Sequence, residues 1–230
     1  MQGTRNRSLR LFVTALAALI LPVLAKQGAG GGPGSGQTDL EPIRLLRPDR
    51  EKGIPVMQAL ALRRSTRAFA DRPLSPGHLS EVLWAAAGIS RDDGKRTAPS
   101  AWNRHSVEVF AVLAAGAFRY VADGHLLEPV VEGDLRPLTG VQEFVGTAPL
   151  NLVYVADLLR FTGISGPPDE LMLMAAVEAG HMAENVYLYC ASEGLGAVTR
   201  TLVPREKLAE RLGLGSSQRI VSAQTVGYPE

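Results

Sequence analysis

Three arginines and two hydroxyls occupy five consecutive positions, Arg63, Arg64, Ser65, Thr66 and Arg67. Arginine offers a planar fork that grips phosphate oxygens in pairs, and a serine or threonine hydroxyl supplies a neutral donor between two forks. The cluster suits a phosphate cradle; a solvated basic turn has the same composition. Two further groups carry polar side chains where chemistry could use them. Pro99-Ser100-Ala101-Trp102-Asn103-Arg104-His105 ends immediately before an apolar run, and Glu178, His181, Glu184 and Asn185 interrupt a long apolar stretch. Burying such groups obliges them to find partners.

Other chemistries lack their residues. The four histidines, His78, His105, His125 and His181, are scattered, and no His/Asp/Glu spacing proposes a metal site. Cys190 is the single cysteine, which excludes an intramolecular disulfide and a multi-cysteine metal site. It lies in an apolar helical pattern, as a small buried hydrophobe or a reactive thiol. Neither a Gly-x-Gly-x-x-Gly nucleotide motif nor a Gly-x-Ser-x-Gly elbow occurs. With a formal net charge of +1, the chain has no broad basic field for nucleic acid and no acidic excess.

The 230 residues are 46% hydrophobic and 20% charged, enough for one substantial core. Residues 1–25 read as an export signal. Arg5, Arg7 and Arg10 precede an uncharged run over 11–25 that ends in small residues at Ala25, where cleavage is expected. That run is shorter than the roughly 20 residues that span a bilayer. The product would be periplasmic or secreted, with an uncleaved amino-terminal membrane anchor as the alternative. Residues 26–53 form a Gly-rich linker and a polar, Pro-punctuated approach. The folded domain is expected over 54–230.

Within it, a helix over 55–64 places the arginines at its carboxyl end. Ser75 caps a second helix over 76–89, with Pro76 in its first turn. Trp84 belongs either to its apolar face or to an interface. Strands are predicted over 107–113, 118–122, 126–130 and 151–157, the middle two as a hairpin across Asp123-Gly124. A loop spans 158–168. Residues 169–193 form the longest helix, apolar around most of its circumference and closed by Gly194. A strand over 197–202, a short helix over 204–212 and a strand over 219–227 complete an α+β fold around one sheet.

Four motifs in this order resemble the nitroreductase superfamily of FMN-dependent oxidoreductases, over about 55–229. They are Arg63-Arg64-Ser65-x-Arg67-x-Phe69, the helix through Leu74, Ser75, Leu79 and Leu83, Pro99-Ser100-x-x-Asn103 before a strand, and Glu178-Ala179-Gly180-His181-x-x-Glu184-Asn185 followed by Gly194-Leu195-Gly196. The segment 178–181 is similar to the branch that includes thiazoline and oxazoline dehydrogenases. The resemblance implies a central, mostly antiparallel sheet flanked by helices, with a long buried central helix. It also implies a homodimer with FMN at its interface, and NAD(P)H as a possible electron donor.

By the same resemblance Arg63, Ser65 and Arg67 hold the FMN phosphate with Arg64 beside them. Pro99, Ser100 and Asn103 meet the flavin from a partner subunit, though Asn103 would equally cap its own loop. Glu178 and Gly180 lie by the ring, where glycine permits close backbone approach, and Leu195 and Gly196 offer backbone contacts. Trp102, bulky where relatives often have smaller residues, and His181 border the substrate pocket; His181 reads either as a packed helix histidine or as a proton donor. Tyr228-Pro229-Glu230 carries no basic group such as many relatives use to finish the phosphate site. That makes Arg200 a further phosphate candidate, against a plain surface arginine. Arg104 is the candidate for stabilising reduced flavin. No side chain is assigned as catalytic, because the flavin carries the chemistry.

Overall fold

The computed structural model describes residues 39–230, so the expected export signal and the Gly-rich stretch up to residue 38 lie outside it. Seven strands form one sheet in the order β1-β4-β3-β2-β5-β7-β6, and every neighbouring pair is antiparallel. They are β1 (Ile43–Arg44), β2 (Val107–Val112), β3 (Gly116–Val121), β4 (Leu126–Glu132), β5 (Leu150–Asp157), β6 (Gly196–Arg200) and β7 (Gln218–Gly227). Helices α1 (Val56–Leu62), α2 (Pro76–Ala87), α3 (Pro168–Ser192) and α4 (Arg205–Arg211) complete the fold.

Alternation along the strands divides the core in two. Leu150, Leu152, Tyr154 and Ala156 of β5 join residues of α2 and α3 in one cluster. Val153 and Val155 turn to the other face, with Leu208 of α4 and Ile220. This is why β5 is apolar almost throughout although it is antiparallel to both neighbours. Ser75 caps α2 as expected, accepting the His78 amide at 3.1 Å. In α3 a proline start and Asp169 and Glu170 in the first turn suit the helix dipole, and Gly194, at φ +69°, supplies the left-handed residue beyond its end.

The long helix departs from the expected all-round burial. Ala175, Ala179, Met182, Ala183 and Val186 are buried, but Leu173, Val177, Gly180, His181 and Glu184 share an exposed face. Helical spacing puts these five on one side. Among the described residues nothing covers them.

The approach segment carries structure of its own. Ile43 and Arg44 pair with β4, the Leu46 amide donates to Ser80 Oγ at 2.8 Å, and Lys52 bridges Glu81 and Glu193 at 2.5 and 2.9 Å. The Ile54 amide then reaches Ser192 Oγ at 3.0 Å. Its polar composition concealed this path, because its attachments are hydrogen bonds and ion pairs rather than a periodic apolar face. The loop after β5 likewise contains a 3-10 turn, Leu158–Phe161, that buries Phe161.

Candidate functional site

Residues 63–67 leave α1 in an extended conformation and lie beside β6. Ser65 forms a parallel bridge with Ala197, and the Thr66 amide donates to Ala197 O at 2.9 Å. Gly196 permits this approach: a Cβ there would stand 2.7 Å from Thr66 Cγ2. Packing within the chain thus explains this glycine, and Leu195 beside it is a core residue. The chain end closes the other side, with Phe69 bridged to Pro229 and Ala70 N bonded to Tyr228 O.

The cradle is joined to α3 by Tyr187. Its hydroxyl lies 3.2 Å from Ser65 Oγ and accepts the Thr199 amide at 2.7 Å, and the Arg63 guanidinium sits 5.5 Å from its ring centroid. Arg64 and Arg67 are exposed, and among the described residues none of the three arginines has a carboxylate partner within ion-pair distance. Tyr187 was missed in the sequence, although its place two turns after Gly180 on α3 was a readable signal.

Residues 99–106 form a second part of the site, strained and tightly held. Trp102, Asn103 and His105 have φ of 48°, 56° and 48°. Asparagine tolerates this region; tryptophan and histidine occupy it only when their surroundings insist. The insistence comes from Glu178, 2% exposed, which accepts Ser100 Oγ at 2.8 Å, Ser106 Oγ at 2.7 Å, Ser106 N at 3.1 Å and Val107 N at 3.4 Å. Ser100 Oγ in turn accepts the His105 amide at 2.8 Å. The carboxylate is therefore the anchor of the loop, and Ser106, unnoticed in the sequence, is its closest partner. Held this way, the loop pushes Trp102 out to 62% exposure and leaves Asn103 and Arg104 at the surface.

Beside the loop an apolar recess of about 480 Å³ is lined by Pro99, Ser100, Leu173, Val177, Glu178 and His181. A Cβ added at Gly180 would meet nothing within 4 Å, so packing inside this chain does not require that glycine. Tyr187 follows Glu178 by nine residues, roughly 13 Å along the helix at 1.5 Å per residue. The exposed face of α3 thus runs between a basic end and an apolar end. That is the polarity of a ligand with a phosphate at one end and a planar ring at the other, and the residues present fit FMN.

Arg200 is not brought into the cradle. It is no surface arginine: at 6% exposure its terminal nitrogens donate to Thr139 O at 3.0 Å, Asn151 Oδ1 at 3.0 Å and Thr225 Oγ1 at 2.6 Å, it lies 5.6 Å from the Phe144 ring centroid, and only its Nε is without a partner among the described residues. Strand alternation sets it on the sheet face opposite α3, with Val198, Asn151 and Thr225. Burial lowers its guanidinium to about 10, which leaves it charged at neutral pH. Cys190 is buried in the core, and burial pushes its thiol up, as suits a small hydrophobe. Trp84 is half-buried, donating to Ile89 O at 3.1 Å.

Comparison with known proteins agrees with this geometry. The model of the Nitroreductase family matches residues 60–228. A protein of Methanocaldococcus jannaschii named as a nitroreductase is 32% identical over 167 residues, spanning 68% of this chain and 83% of its own length. The crystal structure of a Ralstonia eutropha JMP134 protein, also named as a nitroreductase, gives a TM-score of 0.78 at 46% identity, over 82% of this chain and 90% of that one. The NADPH:FMN oxidoreductase of Vibrio harveyi, solved with NAD+, gives 0.56 at 23% identity over 76% of this chain and 69% of its own, a likeness of fold alone. A matched span that starts within α1 and ends past β7 takes in every element of the site, and on that ground the chain belongs to the nitroreductase family of oxidoreductases.

Proposed function

We propose that this chain is an FMN-dependent oxidoreductase that works as a homodimer with its cofactor at the interface. The observation that carries the reading is the exposed face of α3, which joins three arginines that have no carboxylate partner among the described residues to an apolar recess across an unobstructed Gly180. When bound, FMN passes a pair of electrons from a donor such as NAD(P)H to an electron-poor acceptor such as a quinone or nitroaromatic, so no side-chain nucleophile is needed.

The chain's own residues bind, orient and exclude water. Arg63, Ser65 and Arg67 hold the phosphate, with Arg64 on the rim, and the clamp between β6 and the chain end keeps their backbone in place. Gly180 lets the ring approach the helix. Glu178 holds the loop so that Trp102 and Asn103 project away from their own chain, toward the site of a second copy. Leu173 and Val177 line the recess and keep it dry, the condition under which oriented donors act most strongly on developing charge. Arg200 takes no part in this reading.

Removal of residues 1–25 and export belong to the same proposal, with an anchored form as the alternative. Export bears on the donor, because nicotinamide supply outside the cytoplasm is doubtful. The segment 178–181, beside the recess, favours one second reading: oxidation of an azoline-type small molecule with oxygen as acceptor, which predicts poor use of nicotinamides. The test is the visible spectrum of the purified protein, followed by anaerobic NADH or NADPH. A flavin band that bleaches supports the first reading, and one that persists moves weight to the second or to a binding role. Absence of flavin after reconstitution with FMN overturns both.

A further inference from the structure

Where β2 begins and β3 ends, the structure holds a cavity of about 150 Å³ whose lining includes Arg96, His105, Glu108, Arg119, Tyr120 and Arg160. That is several times the roughly 30 Å³ taken by one water. The cavity is separate from the cradle: β5 and β7 stand between β2 and β6, which places the two about 14 Å apart at some 4.8 Å per strand.

The charges of the lining do not cancel locally. Glu108 is already shared by Arg119 at 3.4 Å, Arg160 at 3.8 Å and the Gln218 amide at 2.8 Å. Arg119 also holds Glu128 at 2.6 Å, and Arg160 has Asp157 at 3.7 Å. Asp123, the other acid of the lining, is exposed. Arg96 is left over. Half-buried, its guanidinium has neither an ion pair nor a hydrogen bond among the described residues, and burial lowers it from its ordinary value. His105 lines the same cavity: its Nδ1 is buried with no hydrogen bond among the described residues, and burial, then the charge of Arg96, lowers the imidazole against the opposing charge of Glu178. An unpaired, half-buried guanidinium and an imidazole thus line one small polar cavity. Leaving such groups unsatisfied is costly. An oxyanion in the cavity satisfies the cation, since the arginine fork pairs with two of its oxygens.

We propose that this cavity is a binding site for a free small oxyanion of phosphate size, held by Arg96, with Arg160 and His105 in its lining. The site needs neither flavin nor turnover, so it stands or falls independently of the function proposed above. It also lies behind the strained loop, because the His105 amide is bonded to Ser100 Oγ and through it to Glu178.

The test is titration of the full chain with inorganic phosphate, followed by the imidazole ¹H–¹⁵N resonances of His105, assigned with H105N. Chloride at matched ionic strength is the control. A saturable shift at His105 is expected, kept in R67Q, which disables only the cradle, and weakened roughly tenfold or more in R96Q, as loss of a charge-assisted pair implies. R96K, which keeps the charge without the fork, falls between the two. Acetate separates a carboxylate from phosphate: tighter phosphate binding is expected, and equal or tighter acetate binding overturns the assignment to a phosphate-like ion. An absent His105 shift, a shift that chloride reproduces, or an unchanged response in a folded R96Q overturns the site itself.

Discussion

Glu178 and Arg200 pose the same electrostatic problem with opposite sign. Each is a charged side chain almost wholly withdrawn from water, and among the described residues neither has an ion-pair partner within 4 Å. Both are compensated by neutral hydrogen bonds, four to the carboxylate and three from the guanidinium. What differs is what the partners are attached to. Those of Glu178 belong largely to one strained loop, so its charge is turned into loop geometry. The side-chain partners of Arg200 stand on β5 and β7, elements already held by the sheet. A buried charge therefore shapes a site when its partners are otherwise free to move, and braces the core when they are not.

The sharpest way to break this contrast is E178A. It strips four donors of their acceptor and should cost about 3–5 kcal/mol by denaturant unfolding, since each unsatisfied buried group costs about 1–3 kcal/mol. The loop should also relax, seen as a change in Trp102 emission and loss of bound flavin. Arg200→Leu should cost less, about 1–3 kcal/mol, because Asn151 and Thr225 remain bonded to each other and the cation no longer has to be desolvated. Its flavin content should be unchanged. A flavin loss in R200L equal to that in E178A would erase the distinction.

R67Q sharpens the comparison from the exposed side. Its stability should stay within about 0.5 kcal/mol of the parent by denaturant unfolding, while FMN affinity, read by fluorescence titration, falls about tenfold, the scale of one charge-assisted contact. The smallest effect is expected at the approach segment. K52A should cost about 1 kcal/mol or less, as for a partly exposed ion pair. Burial alone would raise the Glu81 carboxyl, but hydrogen bonds from Lys52 and Tyr189, with the Asp49 amide and the charge of Lys52, hold it below its ordinary value of 4.5. The resulting stability is present above that value and lost as pH falls through the lower folded-state value. K52A should lower the neutral plateau of the pH–stability curve by that amount, leave the region below the folded-state value nearly unchanged, and so flatten the acid limb.

Much of this molecule was legible because local chemistry and global fold agree in it. Ser75-Pro76 announces a helix start, Gly194 a helix end, and the apolar run at 151–157 a strand; all three hold. Ser100 and Glu178 were visible as motif members, yet their direct bond, across 78 positions, was not. The edge strand β1 was hidden because an edge strand can be polar and short and still pair.

By itself, the amino-acid sequence determined the family, the order of most elements and the presence of an arginine-rich segment at the end of the first helix, all properties of near neighbours along the chain. Only the tertiary structure decided that Arg63 and Ser65 meet Tyr187, that Glu178 sets the loop, and that Arg200 faces away from the cradle it was expected to complete. The physical reason is register. Alternation tells that a strand has two faces, but which face carries a given side chain, and what stands opposite it, is settled only when strands far apart in sequence are hydrogen-bonded side by side.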